Sequence, residues 1–152
     1  MLKTLPIALT HQVRDTCLCL HTQRAARALA RRFDDALRPV GLTNGQFSLL
    51  MSLNRAQAPT IGAVSSLLAM DRTTLTANLK PLERRGLLKV IVDPADRRSR
   101  RLMLTAAGRS VLMAAAPLWK RTHRDVEALL DSDPDALRAG LRAISAGMGA
   151  DQ

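Results

Sequence analysis

The sequence has few of the residues on which several classes of protein depend. Its 152 residues include two cysteines, three histidines, one tryptophan and no tyrosine. Two cysteines are too few for the disulfide scaffold of a small secreted domain, which favours a reducing compartment. No long apolar run occurs, and no basic stretch followed by such a run opens the chain. The sequence therefore predicts neither a membrane span nor a signal peptide, and we expect a cytoplasmic protein that does not bind membranes.

Catalytic motifs are also missing. The sequence contains no glycine-rich phosphate loop, no HExxH, no GxSxG and no carboxylates clustered beside a histidine. His11, His21 and His123 are scattered along the chain. We therefore predict that the protein is not an enzyme and that it holds no cofactor and no metal ion. The alternative is an enzyme such as a thiol peroxidase, which would turn over excess peroxide and would not stop after one stoichiometric oxidation.

Positive charge is what the sequence has in excess. Lysine and arginine number 23 against 13 aspartates and glutamates, which gives a formal net charge of +10. From Asp71 to Arg109 there are ten basic residues and four acidic ones, so more than half of the excess lies in about a quarter of the chain. A surface this basic attracts polyanions such as nucleic acids or acidic membranes. A chain of this length has room for one domain.

Apolar residues recur with helical spacing over the first third of the chain. They predict a long first helix from His11 to Arg38, ended by Pro39 and Gly41. Thr43 with Gln46 three positions later has the pattern of a capping box and predicts the start of a second helix. The face of that helix which we expect to be buried carries Phe47, Leu50, Met51 and Leu53.

The middle of the chain has the pattern of a helix-turn-helix followed by a hairpin. Thr60 and Asp71 are each suited to cap a short helix, and Gly86 is suited to end the second one. The first of these helices would bury Ile61, Val64, Leu67 and Leu68, and the second Leu75, Leu79 and Leu82. Residues 87–92, apolar except for Lys89, and the apolar residues 102–104 flank a charged turn. This pattern predicts a β-hairpin, here called the wing.

Two further helices are predicted after the wing. Thr105 is suited to cap the fifth helix, which Pro117 should bend, and Asp133 with Pro134 is suited to start the sixth. The sixth helix carries a narrow apolar stripe suited to packing against another helix, formed by Leu137, Leu141, Ile144 and Met148. Helices at both ends of the chain would bury such faces in a homodimer.

The predicted fold is therefore mostly α, with a small β-hairpin wing. It is a winged helix-turn-helix with N-terminal and C-terminal dimerisation helices. We assign residues 1–152 to a single domain, residues 43–104 to the winged-helix part that binds DNA, and residues 11–38 and 105–148 to dimerisation.

The candidate DNA contacts follow from helical geometry. With the three leucines of the second short helix turned inward, its outward side chains are short, polar or basic. Such a helix reads the major groove with its N-terminal half, through base edges and thymine methyl groups. The candidates are Arg72, Thr73, Thr74, Thr76, Ala77, Lys80 and Arg84. The alternative is a solvated helix face without function.

The tip of the wing adds a cluster of like charges. Four arginines in five positions repel one another unless they meet an anion, and a phosphate backbone or a narrow minor groove supplies one. Asp96 is suited to orient a neighbouring guanidinium group. The candidates here are Asp96, Arg97, Arg98 and Arg100. The alternative is a turn that serves only solubility.

These segments resemble the MarR family of bacterial regulators, and the resemblance extends from Cys17 to Leu130. The matching motifs are Gly41-Leu42-Thr43 with Gln46-Phe47, residues 71–76 and 82–87, residues 93–98, Leu104-Thr105 and Gly108. The resemblance implies a homodimer bound to double-stranded DNA at an inverted-repeat operator. Family members are usually repressors, released when a small molecule or an oxidant acts near the dimer interface. The alternative function is a nucleoid or RNA-binding winged helix that recognises backbone shape without sequence preference.

Cys17 and Cys19 are the candidates for effector or redox sensing. Counted back from Gln46, Cys19 falls where the OhrR-like branch of the family, which senses organic hydroperoxides, has its reactive cysteine. Those sensors hold the thiolate with tyrosine hydroxyls, whereas this chain has Phe33 and Asn44 at the matching positions. We hypothesise a thiol switch at Cys19, with Arg24, Arg27 or a partner subunit as its activator. The alternative is that both cysteines are small packing residues.

Two other interpretations concern the same end of the molecule. On one helix Cys19 lies about 200° from Cys17, so these thiols and His21 would not converge on a metal ion or form a disulfide. A small organic effector is the competing hypothesis, in a cleft between the first, second and fifth helices. Phe47 and Trp119 would line that cleft, or else form part of the core.

Overall fold

The computed structural model describes residues 4–149. They form seven α-helices, one 3₁₀ helix and one two-stranded antiparallel sheet, which confirms the predicted winged-helix class. The domain limits at residues 1 and 152 lie outside the described part. In chain order the elements are α1 Ile7–Thr16, α2 Leu18–Leu37, the 3₁₀ helix Arg38–Val40, α3 Asn44–Ser52, α4 Ile61–Leu67, α5 Arg72–Arg84, β1 Leu88–Val92, β2 Arg100–Leu104, α6 Ala106–Glu127 and α7 Pro134–Gly149.

The single long N-terminal helix predicted from periodicity is wrong, because the chain breaks at Cys17. This residue has an extended backbone, with φ −72° and ψ 107°, between α1 and α2. Its Sγ accepts a hydrogen bond from the backbone N–H of Leu20 and so acts as the N-cap of α2. The Thr16 hydroxyl donates to the carbonyl of Gln12 and completes the last turn of α1. Cys17 and Cys19 therefore do not lie on one helix, and the angular argument built on that premise no longer applies.

The start of α3 confirms the predicted capping box. The Thr43 hydroxyl accepts from the Gln46 backbone, and the Gln46 side chain accepts from the Thr43 backbone. Asp34 on α2 adds a second tie, because its Oδ1 accepts from both the backbone and side-chain nitrogens of Asn44 at 2.7 Å. These bonds lower the pKa of Asp34. They also join the end of α2 to the start of α3 across the connecting turn.

A leucine-rich core lies between α3, α5, the hairpin and α6. The inward positions predicted for α5 are confirmed, because Leu75, Leu79 and Leu82 are all buried. Two predicted core positions are wrong: Met51 is 39% exposed and Leu67 is 56% exposed. Each lies at the margin of the buried face of a short helix, where periodicity separates core from surface poorly. The remaining buried apolar residues are Leu37, Leu42, Phe47, Leu49, Leu50, Leu53, Val64, Leu87, Leu88, Leu102, Leu104, Leu112 and Ala115.

The hairpin is longer than predicted on its return strand. Its register pairs Leu88 with Leu104 and Val92 with Arg100, so β2 begins two residues before the predicted Leu102. Arg101 also forms an isolated bridge with Thr60, which attaches the wing to the segment before α4. The loop between the strands is correspondingly shorter, and two of its arginines belong to a strand.

The helices at the two ends of the chain leave apolar side chains uncovered. None of the residues of α1 is buried, and Ile7 and Val13 are largely exposed. On α7 the predicted stripe is present as Leu137, Leu141 and Ile144, each more than two fifths exposed. The fourth member, Met148, has a side chain outside the described part. Within residues 4–149 no helix combines the length and the hydropathy needed to cross a membrane.

Gly108, in the first turn of α6, lies against the backbone of Leu87. A Cβ atom at this position would lie 2.1 Å from the carbonyl oxygen of Leu87 and 2.7 Å from the Leu104 side chain. Because a backbone oxygen cannot move aside like a flexible side chain, only glycine fits here.

We expect Gly108→Ala to lower the free energy of unfolding by about 3 kcal/mol, the cost of overpacking a filled site. Gly45→Ala is the matched control, because a Cβ there would meet nothing within 4 Å. It should be neutral or stabilise by about 0.5 kcal/mol. Urea unfolding monitored by circular dichroism measures both, and equal effects of the two substitutions would contradict the close approach.

Candidate nucleic-acid interface

The exposed face of α5 is set by the way the helix is capped and packed. Asp71 is its N-cap, with the carboxylate accepting from the backbone N–H of Thr74 at 2.8 Å. The hydroxyl of Thr74, which also donates to this carboxylate, and the backbone N–H of Thr74 lower the pKa of Asp71. With its three leucines buried, the opposite side of the helix carries an open depression of about 380 Å³. Its lining contains five of the predicted contacts, Arg72, Thr73, Thr76, Ala77 and Lys80, while Thr74 and Arg84 are also exposed.

Two of the threonines on α5 have their hydroxyl groups engaged within the helix. Thr74 Oγ1 donates to Asp71 at 2.7 Å, and Thr76 Oγ1 donates to the carbonyl of Arg72 at 2.7 Å. Their hydroxyl hydrogens are therefore not free for a base edge. What Thr76 and Ala77 offer outward is a pair of methyl groups, the kind of surface that contacts a thymine methyl.

An ion pair that the sequence did not predict holds the wing in place. The Arg101 Nε lies 2.9 Å from Oδ2 of Asp93, which is only 6% exposed, and the same guanidinium donates to the carbonyl of Ala58 at 2.8 Å. The guanidinium and the backbone N–H of Ala95 hold the pKa of Asp93 below its usual range. Arg101 therefore ties both ends of the hairpin loop to the segment before α4.

The arginines of the wing divide into three roles. Arg101 is paired, and Arg100 donates to the backbone carbonyls of Arg97 and Ser99 and so closes the loop. Arg97 and Arg98 are exposed at the tip, and neither belongs to any of the ion pairs formed within residues 4–149. These two remain the arginines available to an external anion.

The predicted role of Asp96 as the partner of a guanidinium is wrong. Its Oδ1 accepts the backbone N–H of Arg98 at 3.0 Å, which stabilises the turn at the tip. The carboxylate that does hold a guanidinium is Asp93, three residues earlier. Asp96 therefore positions the backbone that carries Arg98 and leaves the side chain of Arg98 free.

Hydrogen bonds join the end of α5 to the wing. Glu83 near the end of α5 accepts from the backbone N–H of Val90 on β1 at 3.4 Å. The Thr105 hydroxyl donates to the carbonyl of Gly86 at 2.6 Å, between α5 and β1. These hydrogen bonds attach the base of the wing to the end of α5.

Cys19 is exposed, whereas Cys17 is half-buried at the helix break. The Sγ of Cys19 accepts a hydrogen bond from the side-chain amide of Gln23 at 3.2 Å, and Arg27 donates to the oxygen of that same amide at 3.4 Å. The Gln23 amide therefore donates a hydrogen bond to the Cys19 sulfur in a chain that has no tyrosine to do so. Asn44 is engaged by Asp34 instead. Within the described residues no three histidine, cysteine or acidic side chains are grouped to hold a metal ion.

Phe47 and Trp119 belong to an aromatic stack at the edge of the core. Phe47 is buried, and its ring centroid lies 6.1 Å from that of Trp119. Trp119 stacks in turn on His123 at 4.7 Å. Phe47 therefore belongs to the core, and Trp119 is half-buried at its edge. An organic effector at this place stays a prediction.

Comparisons with known proteins agree with this geometry. A family model described as the MarR family matches residues 42–99. The chain is 33% identical over 91 residues to the transcriptional activatory protein BadR of Rhodopseudomonas palustris, a match that covers 58% of this chain and 52% of BadR. It is 38% identical over 79 residues to the transcriptional regulator HosA of Escherichia coli, covering 51% of this chain and 57% of HosA. The matched part thus spans about half the length of these curated relatives.

Solved structures match over nearly the whole chain. The transcriptional regulator MosR of M. tuberculosis in complex with DNA is 38% identical with a TM-score of 0.80, and the match covers 90% of this chain and 100% of that one. The transcriptional repressor CouR bound to a 23-mer DNA duplex is 32% identical with a TM-score of 0.77, covering 94% of this chain and 99% of that one. CouR is also similar in its structure with p-coumaroyl-CoA, at 30% identity and a TM-score of 0.77, over 88% of this chain and 94% of that one.

The brace between Asp93 and Arg101 can be tested apart from DNA binding. We expect Arg101→Met to speed amide hydrogen exchange in β1 by roughly tenfold or more, because local opening then breaks fewer interactions. Arg98→Ala is the control and should leave exchange unchanged. The pKa of Asp93 is lowered by folding, so its ion pair stabilises the folded protein fully above pH 3.8, the ordinary pKa of an aspartate. This stabilisation is lost as the pH falls through the lowered pKa of the folded state. Unaltered exchange in Arg101→Met would show that the pair does not hold the wing.

Proposed function

Because the chain belongs to the MarR family of DNA-binding transcription regulators, we propose that it acts as a repressor, as a homodimer on an inverted-repeat operator. Like the relatives it resembles, it is a transcription regulator and not an enzyme. The observation that carries the proposal is the fixed pairing of two surfaces. An outward face of small and basic side chains on α5 is joined to a wing whose tip exposes Arg97 and Arg98, neither of which pairs with a carboxylate of residues 4–149.

Each of the two surfaces suits a different part of a DNA duplex. The methyl groups of Thr76 and Ala77 and the charges of Arg72 and Lys80 suit the edges and walls of the major groove. The arginines of the wing tip suit phosphates or a narrow minor groove beside it. Base preference then comes from α5, and most of the affinity comes from the charges.

The homodimer is supported by the uncovered apolar faces of the terminal helices. The stripe on α7 and the apolar side chains of α1 stay exposed in the part of the chain that the structure describes. Burying a stripe of this kind contributes about 25 cal/mol per Å² of apolar surface removed from water. A two-fold dimer presents two copies of α5, which is why an inverted repeat is the expected operator.

The similarity to CouR supports repression over activation, because CouR is called a transcriptional repressor and matches this chain nearly end to end. BadR is called an activatory protein, but its match covers about half of its length. A repressor of this kind acts by occupying its operator, and it needs a signal that releases it.

Footprinting tests the division of labour between the wing and α5. We expect the protein to protect an inverted repeat, and Arg98→Ala to weaken binding to specific and random DNA alike, lowering the salt slope by roughly one. Thr76→Ala should weaken the free energy of binding to the operator by about 1 kcal/mol, through the base pair that Thr76 contacts, and should leave the salt slope unchanged.

Arg142→Ala on α7 is the matched control, because it removes an arginine far along the chain from both surfaces. Uniform protection of any duplex would favour the nucleoid type of binding instead. Equal losses from Arg98→Ala and Thr76→Ala on specific and random DNA would contradict the assignment of base reading to α5.

We propose thiol oxidation at Cys19 as the releasing signal. A hydroperoxide transfers one oxygen to the thiol, giving a sulfenic acid and an alcohol. The side-chain amide of Gln23, itself bound by the cationic Arg27, donates a hydrogen bond to the sulfur. Cys17 sits two residues away at the end of α1, so a change at Cys19 acts on the junction of the two N-terminal helices.

Substitution of the cysteines tests this signal. An organic hydroperoxide should release the wild-type protein and the Cys17→Ser variant from the footprint, and Cys19→Ser should remain bound. Gln23→Leu should slow the release, because it removes the donor to the sulfur. The thiol switch would be wrong if the hydroperoxide dose that releases the wild type also released Cys19→Ser from DNA, or if aromatic acids released the protein and oxidants did not. Either result would assign the signal to an organic ligand, in the manner of CouR.

A further inference from the structure

A stripe of arginines runs along one exposed face of α2, away from the reading helix and the wing. Arg24, Arg27 and Arg31 are spaced i, i+3 and i+7, which places them within about 60° of one another around the helix axis and along about 10 Å of it. All three are exposed, and none belongs to an ion pair among the described residues. Like charges at this spacing repel one another. The stripe therefore lowers the stability of α2 unless an anion covers it.

The acidic side chains on α2 do not neutralise the stripe. Asp34 is bound to Asn44, and Asp35 forms its ion pair with Arg38. The neighbouring polar contact of Arg27 is with the neutral amide of Gln23. The charge of the stripe is thus available to another molecule.

A complementary surface lies at the corner between α6 and α7. From Asp125 to Leu137 the sequence has five acidic residues and no lysine or arginine. Two of the five, Glu127 and Asp135, are bound by Arg138, and Asp133 accepts the backbone N–H of Asp135 at the start of α7. Asp125 is exposed and forms an ion pair with its neighbour Arg124 at 3.5 Å. Asp131 is exposed at the corner, next to the exposed side chain of Leu129, and it belongs to no ion pair within residues 4–149.

We propose that the acidic corner of one subunit docks on the arginine stripe of the other, and that this contact sets the register of the dimer. The inference rests on the proposed homodimer and names a polar contact within it. The two surfaces carry opposite charge, and both lie on the elements that also expose apolar side chains, Leu18 and Leu29 on α2 and Leu129 at the corner. A two-fold axis makes the contact twice, since each subunit supplies one stripe and one corner.

A duplex is the competing occupant of the stripe, and the packing of the helices disfavours it. The helix α2 packs mainly on α6 and α3, whereas α5 packs on α4 and β1. The stripe therefore belongs to the terminal-helix side of the molecule. Its charge acts across a dimer contact and not at the groove that α5 reads.

Charge reversal in two separate chains gives a direct test. The first variant carries Arg24→Glu and Arg31→Glu, and it keeps Arg27 so that the Gln23 contact is retained. The second carries Asp125→Lys and Asp131→Lys, and it keeps the acidic residues that bind Arg138 or cap α7. Each homodimer of a variant sets like charges against each other at both contacts. The mixed dimer has opposite charges at both.

Dimer dissociation constants are measured by sedimentation at low ionic strength, about 0.01 M, and again at about 1 M, where the charges are screened. Each variant alone should dissociate roughly tenfold more readily than the wild type at low salt, and an equimolar mixture should recover the wild-type constant as heterodimers. At high salt the differences should vanish. Circular dichroism confirms that both variants are folded before they are mixed.

The outcomes separate the inference from the proposed function. A dimeric wild type whose two variants show no preference for each other would overturn the docking of stripe and corner while leaving the dimer intact. A monomeric wild type would overturn the proposed homodimer itself. If the Arg24→Glu, Arg31→Glu variant stays fully dimeric but loses DNA affinity, then the stripe serves the duplex and the proposal is wrong.

Discussion

The burial of three leucines on one side of α5 is the constraint from which the rest of the molecule follows. Leu75, Leu79 and Leu82 pack into a core shared with α3, the hairpin and α6. Because a helix turns about 100° per residue, fixing these three positions also fixes which side chains face outward. The surface that reads DNA in our proposal is therefore the complement of the core pattern.

The wing depends on the same core but is positioned by charge. Leu88, Leu102 and Leu104 seat the two strands, while Asp93 and Arg101 close the base of the loop onto Ala58. Asp93 thus holds Arg101, backbone carbonyls hold Arg100, and Arg97 and Arg98 stay exposed at the tip. If all of its arginines were unpaired, the loop would carry more unneutralised positive charge and would be less ordered.

Much of the fold could be predicted because its signals are local. The caps at Thr43, Asp71 and Thr105 use partners three residues away, which a sequence displays directly. The break at Cys17 could not be predicted, because the apolar spacing continues through it and only the backbone angles interrupt the helix. The pair of Asp93 and Arg101 depends on strand register, which a charged turn of uncertain length does not fix. The role of Asp96 was misjudged for the same reason.

The aromatic stack has an optical consequence. Trp119 is the single tryptophan of a chain without tyrosine, so near-ultraviolet emission of the protein comes almost entirely from one indole. That indole lies between Phe47 on α3 and His123 on α6, and the Glu127 that meets His123 also meets Arg138 on α7. The molecule thus contains a built-in fluorophore where α3 meets α6, linked to α7 through His123 and Glu127, and we expect its emission to report on movement between these helices.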